Sequence, residues 1–495
     1  ASIDTTGREA VNEHAKRQPL VLVPNHRSYF DCLILSWLFY QNFLVPPHIV
    51  GRENMAFGPF GFLFRRAGAF FMRRKLDDPL YKEVFRAYVS YLVREGFTQE
   101  FFIEGARSRT GKSLAPRMGI LSWDVEAFLR SRRRDLLFVP IGITYERLVE
   151  EGSMVDELEG AEKTDESMLG LVRARRFLRS RFGSVHIHFD EPISLAQALG
   201  TRREAFHEPA SEDVERDKRR FIESLAYRIV ERINWSLAAN STSVAASVLL
   251  GHPYRGMRRS EFVRRMQWTV ELLRAQHVRL TGPLEGDEGD YRDSLSFLAN
   301  ASLVHIEDDP RGEIVYFDET RRRALDIYRN AIAHYLATPS FAARALLGEC
   351  SRKQLEEDVE RAQSIFEHEF FAARSDERRG DTARVLAHFA RKGWARERDG
   401  LWRATEDGEP FLRSLSEQTR GLIEVYAAVC DVVLEQGGAL SRKELTRLAT
   451  ARFERARMLG EAERSEALNP TTLANALDWL VRAQVVVRED RKSVV

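Results

Sequence analysis

Cysteine is nearly absent from this chain. Its 495 residues contain three, Cys32, Cys350 and Cys430, far apart and without Cys-x-x-Cys or Cys/His spacing. That excludes a disulfide framework and a zinc site, and it predicts a reducing compartment with no metal. An excess of one charge is missing too. With 75 Lys and Arg against 74 Asp and Glu, the net charge is +1, so the broad basic footprint of a nucleic-acid binder is lacking. There is no long apolar run. The longest uncharged stretch, Cys32 to Gly51, contains Gln41, Asn42 and the Pro46-Pro47 pair, which break a helix, so no transmembrane helix is expected. The chain opens on Ala1 without a signal-peptide pattern, and a processed chain or a fragment is expected. What is present is 44% apolar and 30% charged residues, a globular composition able to bury two or more cores and far from the disordered range.

The first third alternates strand-like and helix-like runs. PLVLVPN (19–25) reads as a buried strand and DCLILSWLFYQNF (31–43) as the following helix. GAFFM (68–72) precedes a helix from Asp78-Pro79 through Arg94, with Leu80, Val84, Tyr88 and Leu92 on one face. QEFFIEG (99–105), a helix over 118–131, LLFVPIGITY (136–145), a basic helix near 169–182 and SVHIHFDEPISL (184–195) complete five strand-and-helix steps. From about Glu212 the pattern changes to Arg/Glu-rich amphipathic helices. Three segments, 296–317, 385–405 and 474–490, read as a helix followed by a winged-helix-like hairpin. Their helices carry acids as often as bases, which argues for packing or interaction and against nucleic-acid binding. The charge-rich segment 202–220 is the expected linker. The domains are therefore set at 1–210, an α/β unit, and 211–495, a helical region.

In PNHRSYFDCLIL, His26 and Asp31 are five residues apart. On a straight helix they would diverge, so they converge only across a turn. With Ser28 as helix cap, Asp31 falls in the first turn and reaches back to the imidazole, giving a base and the carboxylate that orients it. A loop histidine beside a capping carboxylate explains the motif equally well. In FFIEGARSRTGKSLAPR a strand is followed by Glu104, Gly105, Arg107, Ser108, Arg109 and Lys112. Alternating arginines on such a loop suit a phosphate, and Glu104 is expected to hold the loop. Gly111-Lys112-Ser113 imitates a P-loop, but Ala106 stands where its first glycine is required, so a nucleotide hydrolase is rejected. GAFFMRRK runs into Arg73 and Arg74, again at a strand end. Pro140 inside FVPIGITYER predicts an edge or a bulge, and Pro140 and Ile141 are candidate walls of an acyl or thioester pocket.

The ordered blocks NHRSYFD, GAFFMRR, FIEGARSRTGK and VPIGITY together resemble the glycerolipid acyltransferases, particularly the bacterial membrane-bound glycerol-3-phosphate type and its dihydroxyacetone-phosphate relatives. GHPYRG (251–256) and the helical remainder extend the resemblance over most of the chain. Only 25 residues precede His26 here, fewer than membrane-bound members commonly carry. The resemblance implies an α/β acyltransferase domain with a mixed sheet flanked by helices, then the helical region. It implies His26 and Asp31 as catalytic and Arg73, Arg74, Arg107 and Arg109 as phosphate ligands, with Glu104, Gly105, Ser108 and Lys112 in support. The activity implied is acyl transfer from acyl-CoA or acyl carrier protein to the sn-1 hydroxyl of glycerol 3-phosphate, without cofactor, metal or acyl-enzyme. Amides after Ser28 would serve the oxyanion. Lysophosphatidate and dihydroxyacetone phosphate remain alternative acceptors, and a winged-helix interaction protein is the alternative of a different class. Aromatic-rich MAFGPFGFLF (55–64) and AGAFFM (67–72), beside Arg65, Arg66, Arg73 and Arg74, suit a lipid surface. The expected location is peripheral, on the cytoplasmic face of the inner membrane.

Overall fold

The computed structural model describes residues 3–53, 56, 58–73, 78–159, 183–206, 211–286, 291–371, 375–438, 440–487 and 493–494. Arg74 and the expected basic helix near 169–182 lie outside the described residues. The contacts divide the chain into two units, 1–109 with 113–238, and 110–112 with 239–495.

The first unit is built on an eight-stranded sheet among the described residues. Its strands are β1 (Ile3–Thr6), β2 (Leu20–Pro24), β3 (His48–Arg52), β4 (Ala69–Met72), β5 (Gln99–Glu100), β6 (Leu137–Tyr145), β7 (Val185–Phe189) and β8 (Ile193–Ser194). The order is β1-β7-β6-β2-β5-β3-β4, with β8 also on β6, and all pairs are parallel except β6 with β7 and β8. The mixed α/β architecture is therefore as expected from the alternation. Helices α1 (Arg8–Ala15), α2 (Asp31–Gln41), α3 (Gly58–Arg66), α4 (Pro79–Glu95), α5 (Met118–Arg130) and α6 (Glu151–Leu158) connect the strands. Leu35, Leu38 and Phe39 of α2 pack with Leu22, Val139, Ile141 and Ile187 in one core cluster. Phe85 and Val89 of α4 pack with Trp123 of α5 in another.

Two local expectations change and a third is met. Asp78 does cap α4, accepting from the amides of Leu80 and Tyr81, and Gly96 ends it at φ +86°. The buried face, however, is Phe85, Val89, Leu92 and Val93, while Leu80, Val84 and Tyr88 face solvent. The apolar residues of α4 form two stripes, and sequence alone favours neither. Pro140 lies in a central strand beside the expected irregularity: between the pairs Phe138↔Ile193 and Ile141↔Phe189 the register against the antiparallel partners slips by one residue, as in a bulge. Its neighbour changes there, since β8 pairs with Leu137 and Phe138 and β7 with Ile141 onward, so no ladder donor is required at Pro140. The charged segment 202–220 is not a plain linker. Ser211 caps a long helix, α7 (Glu212–Ser236), whose Ile222, Leu225, Ile229 and Ile233 are buried. Consequently the contacts divide the chain at Ala238, not at residue 210.

The second unit is mainly helical. Two of its small sheets share one order of elements: a short strand, a run of helices, and a hairpin that returns to the first strand. One uses β9 (Gly256–Arg258), β10 (His305–Glu307) and β11 (Ile314–Tyr316); the next uses β12 (Cys350–Ser351), β13 (Ala395–Arg398) and β14 (Leu401–Ala404). The third expected hairpin differs. After a helix over Pro470–Arg482 the described residues show β16 (Ser493–Val494) paired with β15 (Leu440–Ser441), and 488–492 lie outside the described residues. Among the described residues no helix is long and apolar enough to cross a membrane.

Candidate functional site

The site lies beyond the carboxyl ends of β2, β3, β5 and β6, where parallel α/β sheets present their loops. Asn25 ties the loop after β2 to β6, its Nδ2 donating to the Ile143 carbonyl at 3.1 Å and its Oδ1 accepting from the Ile143 amide at 2.7 Å. Asp31 is the first residue of α2 and fully buried. Its Oδ2 accepts from the amides of Arg27 (2.8 Å) and Ser28 (2.9 Å) and lies 3.0 Å from His26 Nδ1. Its Oδ1 accepts from the Tyr145 hydroxyl at 2.6 Å. A carboxylate on Nδ1 fixes the proton there and leaves Nε2 as acceptor. The imidazole also stacks on Phe102, with centroids 4.0 Å apart. His26 and Asp31 thus meet across the turn.

Ser28 is not the helix cap. That position is Phe30, and the Ser28 hydroxyl instead donates to Glu150 at 3.0 Å while accepting from the Phe30 amide at 3.2 Å. Glu150 also accepts from the Tyr29 amide at 2.9 Å. Burial pushes its pKa up, opposed by the Tyr29 amide and the Arg107 charge. The amides of Arg27, Ser28, Tyr29 and Phe30 are therefore engaged with Asp31, Glu150 and Ser28, so they are not the oxyanion donors expected.

The loop after β5 supplies the basic side. The strand ends at Glu100, earlier than expected, and the chain turns through Gly105 at φ +67°. A Cβ there would lie 2.9 Å from Arg117 Cγ, so glycine is required on two counts. Glu104 accepts from the amides of His26 and Leu114, each at 3.0 Å. Its burial raises the pKa to about 7, those two amides and Arg27 acting in the opposite direction. The Ser108 amide donates to the His26 carbonyl at 2.9 Å, binding the two loops together. Arg107 is buried, its guanidinium 4.5 Å above the Tyr29 ring, and Nη2 donates to the Tyr29 hydroxyl at 3.2 Å. Its Nε and Nη1 are buried without a hydrogen-bond partner. Arg109 pairs with Glu157 and donates to the Arg107 carbonyl at 2.9 Å.

These groups border a cavity of about 340 Å³. Its polar lining comes from His26, Tyr29, Arg52, Glu53, Arg107 and Arg109, and its apolar lining includes Leu33, Ile49, Phe64, Ala67, Phe71 and Phe102. Other expected residues lie elsewhere. Arg73 is exposed, its guanidinium 4.6 Å above the Tyr81 ring, and does not line the cavity. Lys112 belongs to the second unit, where the buried Glu369 carboxylate holds its ammonium. Pro140 and Ile141 do not line the cavity either; Ile141 is core, packed with α2 residues. AGAFFM is a half-buried strand, with Phe71 on the cavity and Phe70 against Phe85. Sequence reasoning missed Tyr145, Glu150, Glu157, Phe102 and Arg52. Tyr145 and Phe102 stand inside the motifs quoted above; nothing in the chain marks Glu150, Glu157 or Arg52 for this site.

Two families match the chain. "Acyltransferase" covers residues 2–144 and "Glycerol-3-phosphate acyltransferase C-terminal region" covers 154–489. A glycerol-3-phosphate acyltransferase from Shewanella loihica is 34% identical over 74% of this chain and 46% of its own length. One from Pseudomonas fluorescens is 30% identical over 97% of this chain and 59% of its own. The chain thus spans about half the length of these curated relatives. A solved 1-acyl-sn-glycerophosphate acyltransferase from Thermotoga maritima aligns loosely, at 17% identity and a TM-score of 0.26, over 47% of this chain and 71% of that one. With the C-terminal family spanning most of the residues and a relative at 30% identity aligned over 97% of them, the chain belongs to the glycerol-3-phosphate acyltransferase family.

Proposed function

We propose that this protein transfers a fatty acyl group from acyl-CoA or acyl carrier protein to the sn-1 hydroxyl of glycerol 3-phosphate, forming lysophosphatidate. One observation carries the reading: the His26–Asp31 pair shares a cavity with a buried arginine, Arg107, two of whose nitrogens have no partner. The guanidinium already lies 3.8 Å from the Glu157 carboxylate through Nη2, and its two open nitrogens, Nε and Nη1, can take further acceptors, for which a phosphate offers matching oxygens. In the proposed reaction His26 Nε2 takes the proton of the bound hydroxyl as its oxygen adds to the thioester carbonyl. The tetrahedral intermediate then collapses, the C–S bond breaks, and the imidazolium returns the proton to the departing thiolate. Asp31 holds the tautomer and steadies the imidazolium. Arg107, with Arg109 beside it, orients the phosphate, and the apolar wall of Leu33, Ile49, Phe64 and Phe71 accommodates the start of the acyl chain. The protein acts peripherally, on the cytoplasmic face of the inner membrane.

The test is thiol release from palmitoyl-CoA with glycerol 3-phosphate, dihydroxyacetone phosphate or lysophosphatidate offered separately. Release is expected with glycerol 3-phosphate and is expected to be lost in folded His26→Ala. Arg107→Ala is expected to raise the acceptor KM about 10- to 100-fold, the worth of one or two charge-assisted hydrogen bonds, with the donor KM little changed. Stimulation by lysophosphatidate alone would reassign the acceptor, and full activity in His26→Ala would remove the base.

A further inference from the structure

Three arginines line the cavity, Arg52, Arg107 and Arg109. Two of them already share a counter-charge. Arg109 pairs with Glu157, and Arg107 Nη2 lies 3.8 Å from the same carboxylate. Arg52 forms no ion pair among the described residues. Its Nη2 donates to the Gly105 carbonyl, which leaves most of a planar fork of five N–H donors uncommitted. Arg52 is exposed at the end of β3, and an exposed guanidinium costs little to leave to water, so the lack of a counter-charge by itself names no ligand. Its placement is more informative.

β5 lies between β2 and β3 in the sheet, so the loop that follows it has two flanks. On the β2 flank stand His26, Tyr29 and, stacked over Tyr29, Arg107. On the β3 flank Arg52 holds the same loop at Gly105, two residues before Arg107. The acceptor phosphate is assigned to Arg107 and Arg109. Arg52 therefore stands apart from them, as a second cationic point on the opposite side of the loop. A thioester reacting at His26 extends two arms from its reacting carbon, the acyl chain and the pantetheine. Ile49 and Val50 of β3 and Phe71 and Met72 of β4 give the cavity an apolar wall that leads to Arg52. Glu53, the one acid of the described lining, follows Arg52 directly and is itself engaged.

We propose that Arg52 binds the phosphate at the end of the donor's pantetheine arm. Acyl-CoA and acyl carrier protein have that group in common, so one residue serves either donor. The remaining N–H groups of the fork can meet two phosphate oxygens at once while Nη2 stays on Gly105. The identity of the ligand rests on the acyl-transfer reading, but the residue's role is measurable without turnover.

The experiment compares palmitoyl-phosphopantetheine with palmitoyl-pantetheine, which lacks the phosphate, in thiol release with glycerol 3-phosphate. Beside it, the full chain is titrated calorimetrically with phosphopantetheine and with pantetheine. In the unaltered chain, loss of the phosphate is expected to raise the donor KM and to weaken binding, each about tenfold, the worth of one charge-assisted hydrogen bond. Arg52→Gln keeps an amide donor for the Gly105 carbonyl and drops the charge. It is expected to make the two donors equivalent and to leave the acceptor KM unchanged. Arg52→Lys keeps the charge without the fork and is expected to retain part of the preference. Glu53→Gln removes the neighbouring acid and is expected to lower the KM of the phosphorylated donor roughly two- to fivefold and not that of palmitoyl-pantetheine. Equal losses of both donors in Arg52→Gln would mean that the side chain only props Gly105. A raised acceptor KM with the donor preference intact would place Arg52 with Arg107. Either result overturns the proposal, as does turnover by the unaltered chain with no preference for the phosphorylated donor, which leaves acyl transfer standing. If no donor is turned over, acyl transfer fails and the titrations decide Arg52: tighter binding of phosphopantetheine that is lost in Arg52→Gln sustains the site, and equal binding of the two probes overturns it.

Discussion

At the level of single residues, the side chain that organises the site is Asp31, not His26. One buried carboxylate receives two amides, one imidazole and one phenol, so every direction around it is specified. The Tyr145 hydroxyl fixes Oδ1 and thereby turns Oδ2 toward His26 Nδ1. Tyr145→Phe removes that donor while preserving the ring's bulk, and a charge-assisted hydrogen bond of this kind is worth about 1.5–3 kcal/mol. Because Tyr145 acts through Asp31, the expected loss is in kcat, roughly tenfold, with KM for both substrates unchanged and full-length folding retained by circular dichroism. A change confined to KM would assign Tyr145 to substrate contact instead. His26 and Asp31 were legible in sequence because a five-residue spacing across a strand-to-helix turn is local geometry. Tyr145 and Glu150 were not, because more than a hundred residues separate them from the loop they hold. Arg73 was misplaced for a related reason. Which way a strand-end arginine turns is decided by the aromatic ring it meets, here Tyr81 from α4.

Among the elements, the ends of α4 were readable, the cap of α2 was not, and faces were harder still. Asp78, Pro79 and Gly96 bound α4 as local rules require, but the helix has apolar residues on two sides and only the packing of Phe85 on Trp123 selects one. The strand β3 went unrecognised because His48, Gly51 and Arg52 dilute its apolar character; the second of these, with Arg52, lines the cavity. The pairing of β5 with α5 carries a pH consequence. Asp124 is fully buried, and desolvation pushes its carboxyl up to about 8 although the Gln99 amide donates to it at 3.3 Å. A native pKa above the unfolded one means the folded state holds the proton longer, so this group's contribution is full at low pH. Stability falls as pH rises from about 4 to about 8 and is level above that. Asp124→Asn, which mimics the protonated acid, is expected to abolish that slope. In urea unfolding at pH 5, 6.5 and 8, the variant is expected to gain on the parent by about 1.4 kcal/mol per pH unit. A pH-independent difference would mean Asp124 titrates normally.

At the scale of the whole molecule, the chain does not divide cleanly by sequence position. Thr110, Gly111 and Lys112 follow directly on Arg109 yet belong to the second unit. There Asn330 donates to the Thr110 carbonyl at 2.8 Å, and Gly111, at φ +81°, passes so close to the Ile327 carbonyl that a Cβ would lie 2.1 Å from its oxygen. Lys112 ends in a pair with Glu369, whose Oε1 also accepts from Tyr426 at 3.3 Å and from Asn475 at 3.0 Å. None of this was legible in GARSRTGK, where Lys112 reads as one more cation of a basic loop, because its partner is 257 positions away. A charge this deeply enclosed is costly to leave alone, and breaking such a pair from one side costs about 3–5 kcal/mol. Glu369→Ala removes the ion pair of the Lys112 ammonium and the acceptor of two further donors, so it is expected to lower unfolding stability by up to that amount. Glu369→Ala combined with Lys112→Met is expected to recover most of the loss, since an apolar side chain of similar length asks for no counter-charge. Urea unfolding of the two variants reads this directly. If the double variant is no more stable than Glu369→Ala, the loss belongs to Tyr426 and Asn475, and Lys112 contributes nothing to holding the loop.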